Sequence, residues 1–488
     1  MGLPRLGTRF LRLGARLGGP GLEAGGLTRQ RGGVFRQRLR RLLAYPNSLF
    51  EPFPIFGIII SVHILSYHSP SRFVQIRFCV PKRNRRAVRN TGKGGRRSST
   101  GKDPKGRTTF GHDREDMSKH VLITGGAGFI GSHVARELLR QGYAVRALDN
   151  LSPQVHGPEA KRPAYLESDV ELMVGDVRDP ATVQKALKGV DAVYHFAALV
   201  GVGQSMYEIA RYTDVNNSGT AALLEALIEK PVEKLIVASS MSIYGEGLYR
   251  APDGSPVSGT ERGLDQLGRG DWEVRDDAGA VLTPIPTPEL KTPSLASVYA
   301  LSKYDQERMS LIVGRAYHIP TVALRFFNVF GTDQALSNPY TGVLAIFASR
   351  YLNGRPPIIF EDGCQRRDFV SVLDVARACR LALETPDATG RVFNVGSGSS
   401  YTVEEIAARL ARTLGMEHLA PEISGKYRAG DIRHCFADIT QAEQVLGYAP
   451  QVGLEDGLAE IAGWLEGQVA HDHVAEAGAE LAKRGLTV

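Results

Sequence analysis

From His120 onward the chain alternates short apolar runs with stretches whose apolar residues recur every three or four positions. VLITGG is an apolar run of strand length, AGFIGSHVARELLRQGY has helical spacing, and AVRALDN returns to the strand pattern. VELMVGDVRD, DAVYHFAALVGV and KLIVASS repeat the strand signature. Strands that alternate with helices predict an α/β fold in which a doubly wound parallel sheet carries helices on both faces. Farther on, TVEEIAARLARTL and LEDGLAEIAGWLEGQ read as amphipathic packing helices.

The segment before this pattern is different in kind. Residues 1–116 hold 24 of the 59 Lys and Arg but only 6 of the 52 Asp and Glu, a net +18, whereas residues 117–488 carry −11. The overall +7 is therefore a property of the leader, and the acidic main body is not expected to bind nucleic acid. Pro52 to Leu65 is the leader's one apolar run, shorter than the roughly 18–20 residues needed to span a bilayer. The leader could be a basic tail, a transit-like or membrane-surface segment, or translated GC-rich DNA upstream of a true start. Its Arg, Gly, Pro and Ala content favours the last, and predicts that the functional protein begins at Met117. The four cysteines form no C-x-x-C pair, so neither a zinc site nor a disulfide framework is indicated, which fits a cytoplasmic protein. His471 and His473 flank Asp472 near the C-terminus, where a solvated helix start is expected rather than a metal site.

Between the first strand and helix the turn reads Gly125-Gly126-Ala127-Gly128-Phe129-Ile130-Gly131, satisfying G-x-G-x-x-G in strand–turn–helix context. Glycines let the backbone approach a pyrophosphate at the helix N-terminus, the signature of a Rossmann dinucleotide site. Asp149, followed by Asn150, ends the second strand where a carboxylate binds adenosine ribose hydroxyls and repels a 2′-phosphate, which selects NAD over NADP. Asp176 and Val177 end the next strand, on the adenine side. Ala197 and Ala198 are small enough to lie against the cofactor, and Asn216 follows on a helix.

In SVYALSKYDQE, Tyr299 and Lys303 stand four apart and share a helix face. A phenol of ordinary pKa about 10 needs help to act as a base, and a neighbouring ammonium supplies it. Together, TGGAGFIG, Asp149, ASSMSIYG and Tyr299-x-x-x-Lys303 resemble the extended short-chain dehydrogenase/reductase family of nucleotide-sugar epimerases and dehydratases over roughly residues 119–470. The resemblance implies an NAD-binding Rossmann domain, 117–330, and a smaller substrate-binding domain, 331–488, part of which returns to the Rossmann sheet. It implies that Ser240, Tyr299 and Lys303 are catalytic, with Tyr299 and Lys303 also touching the cofactor and Ser240 and Tyr299 the sugar. It also assigns Phe326 to the nicotinamide pocket, Asn328, Arg367 and Arg428 to the substrate phosphates, and Asp431 to the nucleoside ribose.

Met241 and Ser242 stand where dehydratases and decarboxylases of the family place acids, so a 4-epimerase is implied, working through a transient 4-keto sugar with NAD retained. VGVGQSMYEI, SMSIYGEG and SNPYTGVLAIF resemble the dTDP-L-rhamnose 4-epimerase branch. A UDP-glucose, UDP-glucuronate or GDP-sugar substrate, an NAD(P)H-consuming keto-sugar reductase and a non-catalytic dinucleotide sensor are the rivals. A loop at 246–296 lacks Cys and His, so no metal is expected there; it reads equally as a lid over the sugar or as a surface excursion. The resemblance makes a homodimer the expected assembly.

Overall fold

In the computed structural model the described residues are 118–428 and 430–487, together with the backbone of one antiparallel strand pair, Ile59–Ser61 with Arg77–Cys79. The expected start at Met117 lies outside the described residues. Seven parallel strands make the central sheet: β1 His120–Thr124, β2 Ala144–Asp149, β3 Glu171–Val174, β4 Ala192–His195, β5 Lys234–Ser240, β6 Thr321–Phe326 and β7 Val392–Val395. Their order is β7-β6-β5-β4-β1-β2-β3. The chain thus winds outward from β1 in one direction and from β4 in the other. The crevice that this reversal opens above the carboxyl ends of β1 and β4 is where such sheets bind ligands.

The strands form because both their faces are covered. Every residue of β5 and β6 is buried, which is why KLIVASS and TVALRF read as continuous runs rather than as alternation. The principal helices are α1 Phe129–Arg140, α2 Pro180–Ala186, α3 Gly219–Glu229, α4 Val298–Tyr317, α5 Val343–Leu352, α6 Val372–Glu384, α7 Val403–Thr413, α8 Leu454–Leu465 and α9 Val474–Lys483. α1 and α6 pack on one sheet face through Val134, Leu138, Val375 and Cys379. On the other face lie α2 and α3 with Val183, Leu223 and Leu227, and α4 reaches the same layer with Met309 and Val313. Each such aliphatic side chain taken fully out of water contributes about 1.5–3 kcal/mol.

α4 is held more firmly than its modest amphipathicity would suggest. Ser297 caps it by accepting the Ala300 N–H at 3.1 Å. Inside, Glu307 receives Arg325 of β6 as a fork, at 2.8 and 2.9 Å, and the Ser239 hydroxyl of β5 at 2.7 Å, all buried. This bidentate pair fixes the helix to the two strands whose ends line the crevice.

A second hydrophobic cluster, with Phe347, Tyr351, Ile406, Leu410 and Leu458, joins α5, α7 and α8 into a separate lobe. The 246–296 segment packs beside the crevice rather than over it, held to Arg325 of β6 and Asn394 of β7 through Thr287 and Glu289. It has a small core of its own, Tyr249, Val274 and Leu282. Buried charges tie it down: Arg262 pairs with Glu361 at 2.9 Å, and Arg433 reaches Glu273 at 2.6 Å and Glu361 at 3.0 Å. Among the described residues no helix is long and apolar enough to cross a membrane.

Candidate functional site

A cavity of about 1090 Å³ occupies the crevice and extends between the sheet and the second lobe. That exceeds the roughly 300–1,000 Å³ of an ordinary small-ligand pocket, and leaves room for a dinucleotide and a second nucleotide together.

One end is built by the glycine turn. Gly125 has φ +71°, and a Cβ on Gly131 would stand 2.3 Å from the Gly125 carbonyl oxygen, so turn and helix start approach as only glycine allows. Gly128 offers no side-chain cap to α1, and no acid stands in the first turn. The N-terminus of α1 therefore presents its positive end to the cavity, next to Phe129, Ile130 and Gly131 in the wall. These features fit the pyrophosphate of NAD.

Asp149 lies at the mouth of β2, where its carboxylate accepts the Ala127 N–H at 3.1 Å and the Leu151 N–H at 2.9 Å. Each oxygen keeps a second lone pair, as a ribose diol requires. Asp176 is gripped by Arg178, whose Nη2 and Nε lie 2.8 and 2.9 Å from its oxygens, and it also receives the Asn150 amide at 3.1 Å. The Arg178 hydrogen bond is the main cause of its pKa falling to about 2. Asn150 thus orients Asp176 as well as lining the cavity. Val177, Ala197 and Ala198 also form wall, and Phe326, paired in register with Ser240, completes the floor.

Asn216 is the exception. It is fully buried and lies outside the cavity lining. Its side chain accepts the Leu199 N–H at 2.7 Å and donates to the Leu199 carbonyl at 3.1 Å and the Ser302 hydroxyl at 2.9 Å. The assignment of Asn216 to cofactor contact is therefore corrected: with its polar atoms spent on the loop after β4 and on α4, it braces the wall from behind.

Ser240, Tyr299 and Lys303 share one stretch of the wall. β5 delivers Ser240, and the first two turns of α4 deliver the other two. The Tyr299 N–H donates to the Ser205 hydroxyl at 3.0 Å, which fixes the start of α4. Ser242, absent from the sequence reading as a contributor, donates its hydroxyl to Ser240 at 2.9 Å, leaving the Ser240 proton for another acceptor. Burial pushes the Tyr299 phenol up to about 12, with Ser240 acting in the opposite direction. Burial pulls the Lys303 ammonium down to about 7, and the charge of Glu307 partly offsets it.

The opposite wall carries the remaining substrate candidates. Asn328 donates to the Asp368 carbonyl at 2.9 Å. Arg367 is positioned by donating to the Arg433 carbonyl at 2.8 Å. Arg428 stacks 4.8 Å from the Phe360 ring centre and pairs with Asp431 at 2.9 Å. Of the 246–296 loop, only Ala296 reaches the cavity, so the lid reading is replaced by a surface excursion.

The sequence reading expected a helix start at Asp472 but gave α9 no part in the site, and Asp472 is buried rather than solvated. Ala477, Gly478 and Leu481 line the cavity, and Leu481 rests on Gly203 beside the Ser205 turn. Asp472, just before α9, pairs with Arg350 and Arg355 at 3.1 Å each, while Arg484 stacks on Tyr207 at 4.3 Å and Thr487 bridges to Arg428. Asp472 is thus committed to arginines, and among the described residues no group of three or more potential metal ligands occurs.

The model of the NAD dependent epimerase/dehydratase family matches residues 121–262 and 278–396. A dTDP-L-rhamnose 4-epimerase from Burkholderia thailandensis is 34% identical over 352 residues, covering 71% of this chain and 95% of that protein. A putative UDP-glucose 4-epimerase from Methanocaldococcus jannaschii is 31% identical, covering 71% and 98%. Among solved structures, the UDP-glucose 4-epimerase of Thermotoga maritima with UDP-glucose superposes with a TM-score of 0.58 at 31% identity, covering 71% of this chain and 99% of that one. The Thermus thermophilus UDP-glucose 4-epimerase in complex with NAD gives 0.57 at 31% identity, covering 72% and 100%.

Proposed function

The chain belongs to the NAD-dependent epimerase/dehydratase family, and on that premise we propose that it inverts C4 of a nucleoside-diphosphate sugar, with dTDP-L-rhamnose as substrate and dTDP-6-deoxy-L-talose as product. The observation that carries the reaction type is the grouping of Ser240, Tyr299 and Lys303 on one wall of the cavity that the glycine turn opens onto. NAD, when bound, supplies the hydride acceptor and donor at C4. Tyr299 takes the proton of the sugar 4-hydroxyl as its hydride leaves, and returns a proton after the 4-keto sugar has turned its other face. Lys303 holds positive charge beside the phenolate, and Ser240 donates a hydrogen bond to the same sugar oxygen. Arg367 and Arg428 hold the diphosphate while the sugar turns. Met241 and Ser242 supply no carboxyl group for the protonation steps of a dehydratase.

The dTDP-L-rhamnose assignment is supported by the 34% identical relative. UDP-sugars are the second reading, because the M. jannaschii relative and the T. maritima structure carry UDP-glucose 4-epimerase names. A homodimer is part of the proposal: Leu301 and Ile312, three turns apart on one face of α4, are 45% and 55% exposed. Incubating the purified protein with dTDP-L-rhamnose and no added cofactor, and following the sugar by proton NMR, tests the reading. Appearance of the C4 epimer is expected. Turnover of UDP-glucose alone would move the substrate to the second reading, and a strict need for added NAD(P)H would replace the epimerase by a reductase.

A further inference from the structure

Behind the Tyr299–Lys303 wall lies a buried run of polar side chains that no step above uses. The Lys303 ammonium donates to Oε1 of Gln306 at 2.7 Å. Glu307, one position on, is committed to Arg325 and Ser239, and among the described residues no carboxylate forms an ion pair with Lys303. Gln306 is fully buried.

The direction of its amide can be worked out from the far end of the run. The Thr220 hydroxyl donates its single proton to the Asn216 carbonyl at 2.5 Å, so its oxygen serves its other neighbours only as an acceptor. Two donors converge on it: the Gln306 amino group at 2.9 Å and Nε2–H of His195 at 2.8 Å. Nδ1 of His195 then accepts from the Thr124 hydroxyl at 2.9 Å, and the Thr124 oxygen accepts the Ala197 N–H at 3.2 Å. With this inferred tautomer the Gln306 amino group, 3.2 Å from Nε2 of His195, cannot donate to that nitrogen, and its second N–H is left to the Ala197 carbonyl at 3.5 Å. Turning the amide round would set the Gln306 amino group against the ammonium, donor against donor. The carbonyl end is therefore compelled to face Lys303.

We infer that Gln306, locked by Thr220, which His195 holds in turn, is a positioning residue that fixes where the Lys303 charge stands relative to the Tyr299 phenol. The inference rests on the reading of Tyr299 and Lys303 as the acid–base pair. An amide suits the task because it orients the cation without cancelling its charge, as a carboxylate would. The ionisable groups around Lys303 are Tyr299 one turn before it, Glu307 one turn after it and His195 from β4. Burial forces His195 to stay neutral, its pKa pulled to about 3, so it adds no charge of its own.

The test is a spectroscopic pH titration of the NAD-loaded protein, with Tyr299→Phe identifying the Tyr299 phenolate by difference. It needs no sugar substrate. Gln306→Met should move that ionisation upward by about one pH unit, a tenfold change in the ionisation constant. Thr220→Val should move it the same way, while Thr220→Ser, which keeps the hydroxyl, should restore the wild-type value. The Thr220 pair keeps the test intact if Gln306→Met does not fold. An unmoved Tyr299 ionisation in Gln306→Met or Thr220→Val would overturn the inference. Should Tyr299→Phe abolish no ionisation in the accessible range, the Tyr–Lys reading fails and takes the inference with it.

Discussion

Tyr299 stands in surroundings that oppose its ionisation, at about 12, so its use as a base depends on charge brought to it. Replacing Lys303 by Met removes such a charge. The acidic limb of the kcat–pH profile should then move to higher pH, because the phenolate loses its stabilising partner. Tyr299→Phe should lower kcat by about 10²–10⁴-fold, the usual worth of general acid–base catalysis, with the NAD content of the purified protein unchanged. A variant that kept wild-type turnover would remove Tyr299 from the mechanism. The Tyr–Lys pair was legible because a four-residue spacing on a helix puts both side chains on one face whatever surrounds them. Gln306 was not legible: in SKYDQERM nothing separates a buried amide from a solvated one until β4 and α3 are packed beside it. Asn216 misled for a related reason, since a polar residue near a cofactor loop can face the ligand or the loop's own backbone, and the sequence does not say which.

At the level of elements, the alternating βα pattern was readable because a parallel sheet covered on both faces needs unbroken apolar runs. The second lobe's strands are two or three residues long, too short to carry a period, and the return of Val392–Val395 to the sheet is a long-range pairing. The glycine turn makes a sharp prediction. Gly131→Ala would place a methyl group 2.3 Å from the Gly125 oxygen, so the protein should fold but be purified with little or no NAD, measured by absorbance after denaturation. Retention of full NAD would show that the turn can open at little cost. The Glu307–Arg325 fork that anchors α4 is fully buried, and Arg325→Met, which leaves the carboxylate without its partner, should cost about 3–5 kcal/mol in denaturant unfolding.

Over the whole molecule, His195 links stability to pH. The folded protein holds it near 3 against an ordinary 6.5, so the unfolded chain binds more protons in that window. Stability should fall as pH drops from 6.5 toward 3, and the His195 share of this should vanish in His195→Asn; urea melts at several pH values would show it. The 246–296 segment shows how little a loop's composition says about its destination. Its Gly, Pro and Asp content suits a lid or an excursion alike, and only its pairings with Glu361 and Arg433 decide the matter. α9 has the opposite history: a helix expected only as a solvated surface element that proves to line one side of the cavity. That placement turns cofactor exchange into a kinetic property of the helix. Where α9 covers bound NAD, exchange would wait on the helix, and the two arginines that hold Asp472 would slow its release. Asp472→Asn should therefore shorten the residence time of isotopically labelled NAD while leaving the rate of hydride transfer unchanged in a single turnover.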